Sequence, residues 1–256
     1  MKDESARKNT HPPVRRALVI GSGGGIASEL LSRLLEDEAY DEVHSVSRTE
    51  SLINHPKQYH HVLESSDGEA VSELCQHLKN DYGEFVLIIC CIGQLHGGDQ
   101  DKSFRPEKRL ESLSSQTMLN YFEVNTIAPM NWLKHSVKLV VQHAPSHVVF
   151  FTARVASIED NHLGGWYGYR SSKAALNMLI KTAQVEFARR AADAVLVSYH
   201  PGTVDTALSQ PFQKNVPAEK LFSPEFTVTQ LLSILPNLTP DNAPHYIDWQ
   251  GNKIPW

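Results

Sequence analysis

The stretch VIGSGGGIASEL, residues 19–30, joins two different hydrophobic patterns through four glycines. Before it, RALVIG (16–21) is a mostly apolar run that ends in glycine and predicts an interior strand. After it, Ile26, Leu30 and Leu34 repeat at the spacing of one helix face. A glycine-rich turn between a strand and a helix lets backbone N–H groups approach a pyrophosphate. The stretch therefore predicts the first unit of a dinucleotide-binding α/β fold; a flexible turn without a ligand is the alternative.

The spacing of these glycines distinguishes between kinds of nucleotide-binding turn. They do not fit G-x-G-x-x-G, because Ile26 stands at the third glycine position, and no Lys-Ser/Thr follows, as a P-loop requires. They fit G-x-x-x-G-x-[G/A], with Gly21, Gly25 and Ala27. We expect Gly21, Gly25 and Ile26 to contact the cofactor.

Strand-like and helix-like segments alternate along the rest of the chain. We predict strands at 16–21, 42–47, 59–63, 85–93, 147–152, 194–202 and 245–249. Helices are predicted between them, including 116–142, which Pro129 bends or breaks, and one from Tyr169 to about Ala191. Such alternation implies βαβ units. The prediction is an α/β fold with a doubly wound parallel sheet of about seven strands and helices on both faces. We expect residues 1–14 to form a disordered polar arm and 15–256 a single domain.

Composition and charge exclude several classes of function. The chain has 256 residues, 41% of them hydrophobic, and a net charge of −5, which argues against a nucleic-acid or membrane-surface protein. No apolar run is long enough to span a bilayer, and MKDESARKNTHPPV lacks the apolar core of a secretory signal. The three cysteines, 75, 90 and 91, show no disulfide framework, which favours a reducing, cytoplasmic setting. With no CxxC or HExxH pattern, we expect no metal site.

The end of the second predicted strand bears on the choice of cofactor. Folds that prefer NAD place a carboxylate there for the ribose hydroxyls, whereas this chain has Ser47 and Arg48. A hydroxyl and a guanidinium suit a 2′-phosphate, because arginine forms paired, charge-assisted hydrogen bonds to phosphate. The sequence favours NADP over NAD; a solvated surface arginine is the alternative.

A second motif lies in GGWYGYRSSKAALN, residues 164–177. Tyr169 and Lys173 are four residues apart and therefore share one face of the predicted helix. Taken alone, the pair is either an ordinary helix surface or a phenol held beside an ammonium group for proton transfer.

From Arg16 to Trp256 the chain resembles the short-chain dehydrogenase/reductase family, and within it the C-factor-like carbonyl reductases. The resemblance rests on six motifs in the family's order: the glycine turn, CCIG (90–93), VNTIAP (124–129), FTARVASI (151–158), GGWYGYRSSKAALN and HPGTVDT (200–206). It implies a Rossmann-type fold and an oxidoreductase that moves a hydride between a nicotinamide and a carbonyl or secondary alcohol.

The resemblance also implies roles for individual residues. Tyr169 would be the general acid/base. Lys173, together with the positive ring of the oxidised cofactor, would lower the pKa of its phenol; Lys173 would also bond the ribose, and Asn125 would hold a proton-relay water. The serine that usually holds the substrate oxygen is missing. Thr152 and Ala153 stand where the family has a Ser-Ser pair, so we assign its role to Thr152, with Ser157 as the alternative.

Further positions follow from the same resemblance. The usual Asn-Asn-Ala-Gly turn is absent, but Gly93 still permits close packing of the adenosine, and Glu64 falls near an acid that contacts adenine. At the nicotinamide end the matching residues are Pro201, Gly202, Val204 and Thr206. Residues 207–222 match the mobile substrate lid, with Leu208, Phe212 and Leu221 over the substrate and Trp166 and Tyr167 as the opposite wall. Each of these five is equally compatible with a core position.

Two functions remain open at this point. The first is an NADP(H)-dependent oxidoreductase of small carbonyl or alcohol substrates; the second is a C-factor-like signalling or scaffold protein that binds the dinucleotide with little turnover. An epimerase of the longer related families does not fit, since no substrate domain follows residue 206. Small residues on a second face of the helix from Tyr169, beside Trp132, Leu133 and Val137, predict a homodimer or homotetramer.

Overall fold

A computed structural model describes residues 14–97, 101, 104–141 and 143–256. Of the predicted arm, residues 1–13 lie outside the described residues. The strands, in chain order, are β1 (Arg16–Ile20), β2 (Glu42–Ser47), β3 (Gln58–Val62), β4 (Leu87–Cys90), β5 (Ser146–Phe151), β6 (Ala194–His200), β7 (Thr203–Val204), β8 (Leu221–Phe222) and β9 (His245–Asp248). Seven of them form one parallel sheet in the order β3-β2-β1-β4-β5-β6-β9, while β7 and β8 form a separate parallel pair. The predicted fold class is confirmed.

Six α-helices accompany the sheet: α1 (Gly25–Glu36), α2 (Gly68–His77), α3 (Ser115–Phe122), α4 (Ala128–Leu139), α5 (Tyr167–Arg190) and α6 (Pro224–Ile234). One apolar cluster joins α1 and α6 to one face of the sheet, with Leu30, Leu34 and Leu231 fully buried. A second cluster joins α2, α4 and α5 to the other face, where Trp132 and Ile180 are buried. The interior strands β1, β4, β5 and β6 are covered on both faces and read as mostly apolar runs, whereas the edge strand β3, QYHHV, is only partly buried.

The predicted strand 85–93 is shorter than its apolar run. In the structure β4 ends at Cys90, which pairs with Ile20, the last residue of β1. The neighbouring strand β1 ends at Ile20 and continues into the glycine turn, so the backbone of Cys91–Gly93 leaves the sheet. The apolar residues beyond the strand belong to the loop that lines the candidate site.

The predicted helix 116–142 is interrupted. A π-helical turn, Glu123–Ile127, separates α3 from α4. Pro129 has no N–H to donate to the carbonyl four residues earlier, so the regular ladder fails at Asn125. The break expected from Pro129 therefore falls just before the proline and places Asn125 in the irregular turn.

The order of the strands determines where a ligand binds. β1 lies between β2 and β4, so the chain reverses its direction of progress across the sheet at β1 and β4. In open α/β sheets a crevice forms at such a switch point, outside the carboxyl ends of the strands. The glycine turn, the end of β2 and residues 91–94 all meet at this crevice.

Candidate active site

Tyr169 and Lys173 both lie on the buried face of α5. Tyr169 is 8% exposed and Lys173 only 2%. A lysine is almost never buried so deeply unless it has partners. The alternative of an ordinary helix surface is therefore wrong for this pair.

Lys173 is held by two main-chain oxygens, one at the end of β5 and one in the loop after β4. Its Nζ donates to Phe151 O at 2.8 Å and to Ile92 O at 3.1 Å. An ammonium group has three donors, and the third has no partner among the described residues, which leaves it for a ligand. Burial lowers the pKa of Lys173 to about 8, so the side chain carries its charge at neutral pH.

Gly93 lies where a side chain would collide with this arrangement. A Cβ at position 93 would stand 3.1 Å from Lys173 Nζ and 3.7 Å from Asn125 Oδ1. The distance to Lys173 Nζ is tighter than an ordinary van der Waals contact, so a side chain at position 93 would require the ammonium group or the loop to shift by a few tenths of an ångström. The single glycine retained from the family's usual turn has a steric reason.

Asn125 fastens three segments with one side chain. Its Oδ1 accepts from Gln94 N at 2.7 Å, and its Nδ2 donates to Gln94 O at 3.0 Å and to Ser172 Oγ at 3.2 Å. Asn125 is fully buried. The amide therefore ties the loop after β4 to α5, one residue before Lys173. Ser172 was not singled out from the sequence, since nothing in its spacing marks it.

We expected Lys173, together with the positive ring of the oxidised cofactor, to lower the pKa of the Tyr169 phenol, and this stays a prediction. The ammonium group of Lys173 faces the carbonyls of Ile92 and Phe151. Burial by itself raises the pKa of Tyr169 to about 12. Tyr169 accordingly holds its proton at neutral pH, which is the form that a general acid requires.

The start of α5 is a left-handed turn held from outside. Gly164, Gly165 and Trp166 have φ of 63°, 68° and 55°, and for tryptophan this conformation is strained. Glu107 ties the turn down: its main-chain oxygen accepts from Trp166 N at 2.5 Å, and its Oε2 accepts from Gly168 N at 3.0 Å. Glu107 is 4% exposed, and its position, sixty residues before the helix, gave no signal in the sequence.

Aromatic rings enclose the space around Tyr169. The ring of Trp166 lies 6.2 Å from that of Tyr169 and 5.1 Å from that of Phe212, and Tyr121 lies 6.3 Å from Tyr169. Phe212 belongs to the segment 207–222, which folds into short 3₁₀ turns and β8. This segment therefore reaches the wall that Trp166 forms.

The other residues proposed for this wall and lid lie differently. Leu208 is 37% exposed, and Leu221 pairs with Thr203 between β8 and β7. Tyr167 is half-buried at the first position of α5. Phe212 and Trp166 are thus the two of the five that meet beside Tyr169.

Thr152 and Ala153, the first two residues after β5, have different surroundings. Thr152 is buried; its N–H donates to Tyr199 O at 2.8 Å, and its Oγ1 has no partner among the described residues. Ala153 packs in one apolar cluster with Tyr169. A substrate-holding role for Thr152 stays a prediction.

Ser157, the alternative to Thr152, has a bond of its own. It is 2% exposed, and its Oγ accepts from Asp160 N at 3.0 Å. The hydroxyl therefore stabilises the turn after the 3₁₀ segment Arg154–Ala156.

A cavity of about 590 Å³ opens at the switch point. Five of the residues that we proposed for the cofactor line it: Gly21, Ser47, Arg48, Glu64 and Gly93. The remaining proposed cofactor residues lie outside its lining, at Gly25, Ile26, Tyr169, Lys173, Pro201, Gly202, Val204 and Thr206. Thr206 nevertheless approaches the glycine turn, since a Cβ on Gly25 would stand 3.0 Å from Thr206 Cγ2. Ile26 packs instead against the apolar cluster of α1 and α6.

The residues of this cavity fit a dinucleotide. Gly21 N and Ser22 N both donate to Val46 O at 2.9 Å, which ties the glycine turn to β2. Gly23 and Gly24 then present bare backbone to the cavity, as a pyrophosphate requires. Arg48 is exposed at the rim and forms no side-chain hydrogen bond or ion pair with the described residues.

Two kinds of site are absent from residues 14–97, 101, 104–141 and 143–256. Within these ranges there is no group of three His, Cys, Asp or Glu that could hold a metal ion. The same ranges contain no helix with the length and hydropathy of a membrane span. All three cysteines are free.

Comparisons with known proteins agree with this geometry. The family model described as short chain dehydrogenase matches residues 15–217. C-signal of Myxococcus xanthus is 32% identical over 139 residues, which cover 54% of this chain and 78% of C-signal. Benzil reductase ((S)-benzoin forming) of Bacillus subtilis is 24% identical over 237 residues, 85% of this chain and 92% of that protein.

Among solved structures, the NADPH-bound carbonyl reductase from chicken fatty liver superposes with a TM-score of 0.76 at 20% identity. The match covers 95% of this chain and 99% of the carbonyl reductase, and at this identity it shows a shared fold. Together with the family model, which matches most of the chain, these findings show that the protein belongs to the short-chain dehydrogenase family.

Proposed function

We propose that this protein is an NADPH-dependent oxidoreductase that interconverts a carbonyl compound and the corresponding secondary alcohol, with Tyr169 as general acid/base. Members of the family are oxidoreductases that bind a nicotinamide dinucleotide. The observation that carries the proposal is the burial of Tyr169, Lys173 and Asn125, with Lys173 and Asn125 bonded to Ile92 and Gln94, which line the cavity at the switch point.

The cofactor preference rests on the rim of the cavity. Ser47 and Arg48 line it where an NAD-preferring fold would have a carboxylate. The guanidinium group of Arg48 is not engaged by a described residue, so it is available to a 2′-phosphate. The relative from chicken fatty liver is NADPH-bound, in agreement with this preference. Gly21, Ser47, Arg48 and Gly93 would hold the dinucleotide.

The chain's own residues account for the movement of the proton. NADPH, when bound, supplies the hydride. Tyr169 keeps its proton at neutral pH because burial raises its pKa, and it gives that proton to the carbonyl oxygen of the substrate. The free donor of Lys173 would bond the ribose of the bound cofactor, and its positive charge would stabilise the phenolate that remains. Asn125 joins α5 to the loop after β4, and that loop lines the cavity.

The walls of the site indicate the class of substrate. Trp166, Phe212 and Tyr121 surround the reacting phenol with aromatic surface, which favours an apolar, aromatic carbonyl compound. The relative from Bacillus subtilis is named for benzil, an aromatic diketone. Residues 207–222 act as the lid, since Phe212 closes against Trp166 and excludes water from Tyr169.

A second candidate function is a C-factor-like signalling or scaffold protein that binds the dinucleotide with little turnover. Two observations favour it: the similarity to C-signal, and Ala153, a residue without a hydroxyl, beside Tyr169. Both candidates predict cofactor binding, so only turnover separates them.

A panel of aldehydes, ketones and diketones, benzil included, tests the proposal. Oxidation of NADPH is followed by its absorbance for each compound, and NADH is run in parallel. We expect substrate-dependent oxidation that is faster with NADPH than with NADH at equal concentration. Tight NADPH binding without oxidation by any carbonyl compound would support the second candidate function instead.

A further inference from the structure

A chain of polar side chains connects β3 to the loop after β2. Gln58 Nε2 donates to Ser45 Oγ at 3.0 Å, and Ser45 Oγ lies 2.8 Å from His60 Nδ1. The other ring nitrogen, His60 Nε2, lies 2.9 Å from Thr49 O. The imidazole therefore bridges a buried serine of β2 and the main chain just beyond Arg48.

Only one arrangement of protons satisfies all of these contacts with a neutral ring. Thr49 O is a carbonyl and can only accept, so Nε2 carries the proton and donates it. Nδ1 is then unprotonated and accepts from the hydroxyl of Ser45. Ser45 in turn accepts from Gln58, so every bond in the chain has one donor and one acceptor.

The same carbonyl receives a second bond from within the loop. Ser47 Oγ donates to Thr49 O at 2.6 Å, and His60 Nε2 lies 3.4 Å from that Oγ. Thr49 O thus accepts two hydrogen bonds, one from Ser47 and one from His60, and Arg48 lies between Ser47 and Thr49 in the chain. Ser47, Arg48 and Thr49 all line the cavity, whereas His60 does not.

We infer that His60 is a positioning residue for the adenosine 2′-phosphate site: its Nε2 holds Thr49 so that Ser47 and Arg48 face the cavity. The inference rests on the proposed function, since it requires an NADP-type cofactor. Arg48 has no described partner of its own, so the direction in which its backbone presents it is set by the residues on either side. His60 supplies one of those two constraints from a neighbouring strand.

Two substitutions of His60 separate this role from a general effect on stability. In His60→Gln the terminal amide nitrogen reaches the place of Nε2 and can donate to Thr49 O. In His60→Asn the shorter amide reaches only the place of Nδ1, keeps the bond to Ser45 and leaves Thr49 O. The two variants have similar polarity, and each keeps one of the two contacts of the ring.

Calorimetric titration of the full chain with adenosine 2′,5′-bisphosphate and with 5′-AMP tests the inference without any turnover. We expect His60→Asn to weaken binding of the bisphosphate by about tenfold, the effect of one hydrogen bond, and to leave 5′-AMP binding within about twofold. His60→Gln should bind both as the parent does. Arg48→Ala serves as the reference variant: the weakening of bisphosphate binding that it causes is the effect of losing the 2′-phosphate contact completely.

The possible outcomes are distinguishable. If the parent binds the bisphosphate no better than 5′-AMP, the proposed cofactor preference is wrong and the role of His60 falls with it. If the parent prefers the bisphosphate, and His60→Asn and His60→Gln keep that preference equally, the proposed cofactor stands and the inference about His60 is overturned. Equal weakening of both ligands in His60→Asn overturns it as well, since that result indicates a general disturbance of the fold.

Discussion

Arg48 is the residue whose charge we expect to choose the cofactor. It is exposed at the rim of the cavity, and its side chain has no partner among the described residues. Arg48→Asp replaces a phosphate partner by an acceptor for ribose hydroxyls. We expect the ratio of the NADPH and NADH dissociation constants, measured by fluorescence, to shift toward NADH by at least about tenfold, because one bidentate charge-assisted contact is lost.

A matched control for Arg48 is Arg109, which is also exposed in a loop but lies outside the lining of the cavity. Arg109→Asp should leave the ratio unchanged. If Arg48→Asp and Arg109→Asp give the same ratio as the parent, Arg48 is only a surface charge.

The hydroxyl that holds the substrate oxygen is a second question at the level of single residues. Thr152→Ala should lower kcat by roughly ten- to a thousandfold if its unpartnered Oγ1 is the donor, the upper part matching the loss of one oxyanion-type donor. Ser157→Ala should do much less, because the Ser157 hydroxyl already bonds Asp160 N. Steady-state kinetics of the two variants on one substrate measure the difference.

A gain-of-function variant complements these losses. Ala153 packs beside Tyr169, so Ala153→Ser adds a hydroxyl where the structure has none. A rise in kcat for Ala153→Ser together with an unchanged Thr152→Ala would move the substrate-holding role from Thr152 to position 153.

At the scale of secondary structure, the start of α5 depends on a distant carboxylate. The carboxylate of Glu107 accepts from Gly168 N, and its main-chain oxygen accepts from Trp166 N. Trp166 and Gly168 flank Tyr167, just before the reacting phenol of Tyr169. Removing one bond to a charged acceptor costs about 1.5–3 kcal/mol. We expect Glu107→Ala to lower the melting temperature and to lower kcat more than it raises KM, since it disturbs the position of Tyr169.

Glu107→Gln is the control for that variant, because its amide oxygen can still accept from Gly168 N. It should keep most of the activity and of the thermal stability. Equal kcat in Glu107→Ala and the parent would show that the left-handed turn at 164–166 stands without the carboxylate.

The elements that the sequence predicts well are those whose signal is local. β2 runs over Glu42–Ser47, the predicted 42–47, because each of its interior residues is buried and the flanking residues are not. Pro129 predicts the break before α4, since the missing N–H is a property of the residue itself. The shortening of β4 was not predictable in the same way, because Cys90 ends the strand only where its neighbour β1 ends.

The residues of the candidate site also differ in whether their sequence signal is local. Tyr169 and Lys173 were predicted from their spacing and Gly93 from its motif, but the contacts of Glu107 and His60 cross sixty and eleven or more residues and have no local pattern. The raised pKa of Tyr169 has no local pattern either, because it depends on burial in the folded chain. Local chemistry is visible in a sequence, whereas burial is a property of the folded chain.

At the scale of the whole molecule, the outer faces of α4 and α5 predict self-association. A groove of about 220 Å³ lies between them, lined by Leu133, Leu179, Ala183 and neighbouring residues, and Met178 and Val185 are 62% and 61% exposed on α5. Two copies of these helices packed about a twofold axis would bury this surface. Light scattering at micromolar concentration should give about twice the chain mass of 28.7 kDa, or four times for a tetramer.

A variant in the groove sharpens this measurement. Ala183→Glu places a charge between the helices and should shift the mass toward that of the monomer, while Arg109→Asp, away from the groove, should not. A parent that scatters as a monomer at micromolar concentration would contradict the prediction.

The central claim, that Tyr169 moves the proton, is tested most directly by Tyr169→Phe. The substitution deletes a hydroxyl and little volume, so affinity for NADPH, measured by fluorescence titration, should remain within about twofold. We expect kcat for reduction of a carbonyl substrate to fall by at least about a hundredfold, the usual contribution of a general acid. Near-normal turnover by Tyr169→Phe, on a substrate that the parent reduces, would contradict the account.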